Sequence, residues 1–369
     1  MGETHIQMFE RNTYPELFAS AAEKTADAFR NEKDKLTKTW KGILSRYMEQ
    51  LIAVQEEGMA PPVAELDLSF LYTSLEDEHP KYRIDSYGEG GRVAGGSILT
   101  GYLPADWMTA GLEELTRQLT ERAAEESLRR YIRPAMIETL RLRAVRSLLY
   151  YFALRFKYFI PDMLDLKLLA RIEKAPHFFI QIGEYMDWQK TIYAVRPAVD
   201  IFNCEKTADL RFRSFPAALY EDKAFRDLDL SNSSFTDSTF RDSSIEDCTM
   251  TDCMFEGCTF ENVKMDTVSM AGCIFADCVF RQAVFKKTSF FEEEPDKDSP
   301  QYFEPAEFHG CSFDGVTFQG CVLTGCPVRN CDAPGLETDA ETKMEYSGFV
   351  KLMQKAGTSG NEEAQDGVF

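Results

Sequence analysis

The sequence predicts an α+β multidomain protein, in which a mostly α-helical N-terminal domain with a small antiparallel sheet precedes a square-sectioned solenoid closed by a C-terminal helix. Three observations carry this. Apolar residues recur at helical spacing in the first part of the chain, they recur every five residues from Phe225 onward, and small side chains stand two places before each of those apolar centres. The expected boundaries are 1–204 for the α-rich domain, 205–333 for the solenoid with a loop insertion at 291–302, 334–357 for a capping helix and 358–369 for a disordered tail. A chain of 369 residues with 44% hydrophobic content can bury two cores.

In the N-terminal part, Trp40, Leu44, Tyr47, Leu51 and Val54 form an apolar helical stripe within the segment Pro15 to Glu57. Val63 to Leu75, Tyr82 to Tyr87 and Ser97 to Leu103 read as three short strands. The stretch "GEGGRVAGG" between the last two lacks the GxGxxG spacing of a phosphate cradle and reads as a hairpin connection. Asp106 is placed to cap a long helical region, interrupted at Pro134, that runs towards Phe159. From Arg117 to Lys157 the chain has 10 basic and 4 acidic residues. Arg129, Arg130, Arg133, Arg141, Arg143 and Arg146 leave three readings open: an anion-binding face, a solvated helix surface, or docking on the acidic solenoid.

In the solenoid, Phe225, Leu230, Phe235, Phe240, Ile245, Met250, Phe255, Phe260, Met265, Met270, Phe275, Phe280, Phe285 and Phe290 form fourteen consecutive apolar positions five apart. Leu210, Phe215 and Tyr220 extend the series backwards. A step of five suits neither a helix nor a straight strand, so the chain must bend once per repeat. Four bends close a coil of about twenty residues, which buries its apolar side chains only by stacking on its neighbours. Interior columns of Phe235, Phe255, Phe275 and of Phe240, Phe260, Phe280 follow. Cys248, Cys253, Cys258, Cys273 and Cys278 stand two places before a centre, where a tight interior corner admits only small side chains. Two places after each centre Asp, Asn or Gly is frequent, as turn geometry favours. The cysteines are therefore expected to be reduced and free of metal, and the four histidines do not cluster.

The break "FEEEPDKDSPQY" makes the interval from Phe290 to Phe303 thirteen instead of five, and Phe303, Phe308, Phe313, Phe318, Leu323 and Val328 are expected to resume the period. With two prolines it cannot continue a coil, so it reads as a projecting acidic loop. After Asp332 the period stops. Thr338 and Glu341 have capping-box spacing, and Met344, Phe349, Leu352 and Met353 give the expected helix an apolar side.

These repeats resemble the pentapeptide-repeat family over about Ala208 to Asp332. The resemblance implies a right-handed quadrilateral β-helix. Some relatives bind bacterial type II topoisomerases as mimics of duplex DNA and protect them from quinolones, and relatives commonly dimerise through their C-terminal ends.

From Glu205 to Asp332 there are 24 acidic and 12 basic residues, a net of −12 within a chain of −20. Surface columns alternate in sign, Arg241, Glu261, Arg281 and Arg226, Glu246, as a ladder of ion pairs would. Asp237, Asp242, Asp247, Asp252, Glu292, Glu293 and Glu294 are the candidate interaction surface. No catalytic arrangement and no cofactor motif rises above background. The expectation is a non-enzymatic protein-interaction scaffold that meets an unidentified partner of basic character, binds neither nucleic acid directly nor membrane, and forms a homodimer through its C-terminal end in the cytoplasm. The alternative is a DNA-mimicking modulator or protector of type II topoisomerase (gyrase).

Overall fold

The computed structural model describes residues 4–76, 79–205, 208–292 and 304–354. The chain divides into two units, Met1–Val195 and Arg196–Phe369. The division falls before the expected residue 204 because the intervening segment packs on the first coil. Ile201 is buried there, and the Phe202 ring lies 5.0 Å from Phe225 and 6.1 Å from Tyr220.

In the first unit a short helix, His5–Asn12, opens on a capping box between Thr4 and Gln7. The 43-residue helix Tyr14–Glu56 follows, with Pro15 in its first turn, where a missing N–H costs nothing. Trp40, Leu44, Tyr47 and Leu51 are buried as the stripe predicted. Asp106 opens only a short 3-10 turn, Asp106–Thr109, and Pro134 starts a helix, Pro134–Met163, instead of interrupting one. These helices and Leu112–Glu125 share one core with the sheet, in which Trp40 stacks on Phe156 at 5.1 Å.

The sheet has five strands, β1 (Val63–Phe70), β2 (Lys81–Tyr87), β3 (Leu99–Pro104), β4 (Lys174–Glu184) and β5 (Gln189–Val195), in the order β3-β2-β1-β4-β5. It is mixed, whereas the expectation was a small antiparallel sheet. The three expected strands are antiparallel neighbours, but β1 pairs parallel with β4. A parallel partner needs a crossover, and here it arrives about a hundred residues later, after the helices.

The second unit is a stack of four-sided coils. Phe215, Phe235, Phe255, Phe275 and Phe308 form one interior column, with successive centroids 4.8–5.0 Å apart. Tyr220, Phe240, Phe260, Phe280 and Phe313 form the next at 4.8–5.0 Å. Three faces are parallel sheets, and the fourth is a line of single bridges through Asp229, Thr249, Ser269, Ser289, Val322 and Lys343. Stacking at this distance aligns the rings face to face and pairs each coil's backbone with the next.

Phe275 pairs with Phe308, 33 residues on, where Phe255 pairs with Phe275, 20 residues on. The insertion is therefore thirteen residues, not the eight implied by a restart at Phe303, and the described coil resumes at Phe308. Phe303 and most of the loop lie outside the described residues.

The C-terminal segment also departs from expectation. Thr338 pairs with Phe318 and Lys343 bridges Val322, so the coil continues past Asp332. The capping-box acid and hydroxyl are not used that way. The Asp339 carboxylate accepts instead from the Gly320 and Thr342 N–H groups, which holds the segment as a further corner. The helix described here spans only 348–354, and the expected tail lies outside the described residues. Phe349 closes the stack. It is fully buried, with its ring 5.1 Å from Phe308, 5.1 Å from Phe313 and 5.5 Å from Phe318. Phe349→Ala is expected to destabilise the coil by about 3 kcal/mol in urea unfolding; an unchanged midpoint would mean that this ring is not the plug.

Candidate functional site

The interior positions do structural work. Cys253 and Cys258 donate their thiols to the Leu230 and Phe235 carbonyls at 3.1 and 3.2 Å, and Cys273 and Cys278 to Met250 and Phe255 at 2.8 and 3.4 Å. Ser233, Ser238 and Ser243 do the same with hydroxyls. These corners thus hold a short side chain that donates one bond to the centre of the coil below, whereas Val263, Val268 and Ala283 fill other corners by size alone. The sequence indicated the size but not the bond. Burial raises the Cys248 thiol and pushes Cys321 up to about 11, which keeps these groups protonated at neutral pH.

The candidate acidic residues are not one patch. Asp237, Asp242, Asp247 and Asp252 follow successive centres, so they occupy the four different corners of a coil. All have left-handed backbone, with φ between 48° and 57°. Asp and Asn tolerate that region better than other non-glycine residues, which explains their choice. Asp237, Asp242 and Asp247 are exposed, but Asp252 is buried at 6% exposure beneath Gly272, where a side chain would collide with its carboxylate. Glu292 is exposed; Glu293 and Glu294 lie outside the described residues.

Spatial neighbours stand twenty residues apart. Asp222 lies under Asp242 and Asp227 under Asp247, on the two corners that flank the face carrying Phe225 and Ile245. All four are exposed. Further along, the first column passes to Asn262, whose amide donates to Asp242 at 3.0 Å, and the second to Thr267. At these two corners acids are therefore stacked only in the first coils. Counting the sequence by twenty instead of five would have located them.

The strand faces behave differently. Arg241 bridges Glu221 at 3.3 Å and Glu261 at 2.9 Å, Arg226 bridges Glu246 at 3.2 Å, and Lys286 bridges Asp266 at 2.9 Å. Of the expected ladders Arg241–Glu261 and Arg226–Glu246 form, and Lys286–Asp266 adds a pair that was not expected; such exposed ion pairs contribute little to stability.

In the N-terminal unit the helix arginines serve local contacts. Arg141 meets Glu138 at 2.9 Å, Arg143 meets Glu10 at 3.4 Å, and Arg146 meets Glu184 and Asp187 at 3.4 and 3.3 Å. Arg129, Arg130 and Arg133 are exposed in the connection before Pro134.

A second cluster was missed in the sequence. Thr100, Asp85, Asp67, Gln181 and Thr191 share one register row across all five strands. Asp67 and Asp85 are buried at 2% and 0% exposure. Asp85 pairs with Arg83 at 2.7 Å, while the Asp67 carboxylate has Arg92 no nearer than 3.8 Å and one oxygen, Oδ1, without a hydrogen bond. The glycine-rich connection folds as a short helical turn, Gly91–Ala94, with Gly91 against the Glu65 carboxylate. Burial, together with the nearby Glu65 and Asp85 carboxylates and against the pull of Arg92, pushes the Asp67 carboxyl up to about 7. Alternation in "VAELDLSF" was the available signal, since Glu65, Asp67 and Ser69 fall on one face of β1. Among the described residues no group of three or more His, Cys, Asp or Glu is arranged to hold a metal ion.

Residues 225–265 match the family model for pentapeptide repeats, in eight copies. The coil is a pentapeptide-repeat domain. No curated protein matches the chain in sequence. The pentapeptide-repeat domain is similar to three solved structures. The pentapeptide repeat protein Rfr23 of the cyanobacterium Cyanothece is 10% identical, with 36% of this chain and 91% of that one covered at a TM-score of 0.22. HetL of the cyanobacterium Nostoc, a pentapeptide repeat protein involved in heterocyst differentiation regulation, is 10% identical, with 35% and 63% covered at 0.20. Full-length QnrB1, a plasmid-mediated fluoroquinolone resistance protein, is 13% identical, with 38% and 100% covered at 0.14. At these scores the likeness carries no argument about what this pentapeptide-repeat domain binds. No helix among the described residues is long and apolar enough to cross a membrane.

Proposed function

We propose that this chain is a non-enzymatic protein-binding scaffold whose first coils receive a basic partner. The observation that supports it is the stacking of Asp222 on Asp242 and of Asp227 on Asp247, where the neighbouring column Glu221, Arg241, Glu261 alternates in sign. Stacked like charges destabilise a sheet, and a cationic surface laid across them would relieve that repulsion. We read the Asp67 row as structural. Ten free thiols fit a reducing compartment such as the cytoplasm.

The test compares proteins captured from the host by the wild-type chain and by a variant carrying Asp222→Asn, Asp227→Asn, Asp242→Asn and Asp247→Asn. A basic protein lost only in the variant supports the reading, and identical capture retires it. The second reading, modulation of gyrase by imitation of DNA, draws on the same acidic columns but is weakened by their interruption at Asn262 and Thr267. Unchanged supercoiling at micromolar protein would remove it. A homodimer would use the outer side of the C-terminal cap, where Tyr346 is 97% and Val350 38% exposed; light scattering at the mass of one chain would exclude it.

A further inference from the structure

Four of the corner cysteines stack directly on one another. Cys258, Cys278, Cys311 and Cys331 occupy the same corner of successive coils, each two residues before Phe260, Phe280, Phe313 and Ala333. Each thiol donates to a carbonyl of the preceding coil, Cys258 to Phe235, Cys278 to Phe255, Cys311 to Phe275 and Cys331 to Phe308. The first three are fully buried, but Cys331, at the end of the row, is part-exposed. The Cys331 sulfur also accepts from the Cys311 N–H at 3.2 Å, and the adjacent residues Ser312 and Asp332 form a parallel bridge. Neighbouring strands of this kind hold their Cα atoms about 4.8 Å apart, inside the roughly 4.4–6.8 Å that a disulfide spans.

We propose that Cys311 and Cys331 are an oxidisable pair, a thiol–disulfide site at the open end of a closed column, which a peroxide converts to a disulfide without unstacking the coil. The peroxide transfers an oxygen to the Cys331 sulfur. The S–O bond forms as the O–O bond breaks, and the thiol proton leaves with the departing hydroxide as water. The Cys311 sulfur then attacks the sulfenic sulfur, forming the S–S bond and expelling a second water, so that two thiols and one peroxide give one disulfide and two waters. Cys331 is the part that oxidant reaches and Cys311 the part that resolves it. Cys258 and Cys278 stay reduced because solvent does not reach them.

The experiment uses the full reduced chain exposed to limited hydrogen peroxide under native conditions, then alkylated, digested and mapped by mass. The expected product is a cross-linked peptide pair, Cys311 to Cys331, lighter by two hydrogens. Cys331→Ser should remove it completely and leave Cys311 alkylatable on unfolding, while Cys204→Ser, at the other part-exposed thiol, should leave the yield unchanged. Any of three results would overturn the proposal: Cys331 carried to sulfinic acid while Cys311 remains a thiol, a cross-link between Cys331 and Cys204, or a Cys311 disulfide that persists in Cys331→Ser.

Discussion

Phe255→Asp is expected to unfold the coil. Phe255 is fully buried between Phe235 at 5.0 Å and Phe275 at 4.8 Å, with both pairs of rings within 6° of parallel. The substitution removes a buried ring, about 3–5 kcal/mol by itself, and leaves a carboxylate with no partner in an apolar column. That total is comparable with a domain's whole stability of about 5–15 kcal/mol. Because each coil is held only by its neighbours, damage in the middle breaks the stack into two short pieces. Phe255→Leu keeps the column apolar and should cost far less. Circular dichroism and hydrogen exchange across 210–343 would read the difference, and a Phe255→Asp protein that melts like wild type would refute the stacked-column account.

The second large effect is in the N-terminal unit. Asp67→Asn should stabilise that unit at pH 8 by up to about 4 kcal/mol and leave it nearly unchanged at pH 4. The sign follows from proton counting. An unfolded Asp titrates near 3.8, whereas the folded carboxyl titrates near 7. Between those values the folded unit holds a proton that the unfolded chain has released, so wild-type stability falls as pH rises through the window and is level above it. Asn carries no titrating group and removes this fall. Urea unfolding of the two proteins from pH 4 to 8, followed by the fluorescence of Trp40 and Trp107, measures it. Parallel curves for variant and wild type would place the strain elsewhere.

The coil was legible because its rule is local and repeated. Every fifth residue is apolar, and no other structure accommodates that step with tight corners. The same rule concealed the surface: five residues along the chain is one corner around it, so the acids that looked adjacent in sequence are dispersed, and the true neighbours are Asp222 with Asp242. The cap was misread because Thr338 and Glu341 match a helix-start pattern. In the coil, Thr338 instead follows the Phe318 strand, and Asp339 satisfies Gly320. The parallel pairing of β1 with β4 depends on how far apart in sequence two strands meet, and no local pattern encodes that separation. Asp67 escaped notice for a related reason. One acid in an alternating strand reads as solvent-facing until the turn at Gly91–Ala94 covers it.

The twenty-residue step turns chain length into angle. Each five residues carry the chain through a quarter revolution, so losing one repeat ahead of the cap would rotate everything downstream by ninety degrees relative to everything upstream. The Asp222–Asp242 corner and the Phe349 plug would then be out of phase, although every local contact could be rebuilt. The thirteen extra residues in the turn from Phe275 to Phe308 escape this constraint because the phase of the coil is the same on either side of them, Phe308 landing on Phe275 and Phe313 on Phe280. Length there is free to vary, whereas within the coil it can change only by whole revolutions.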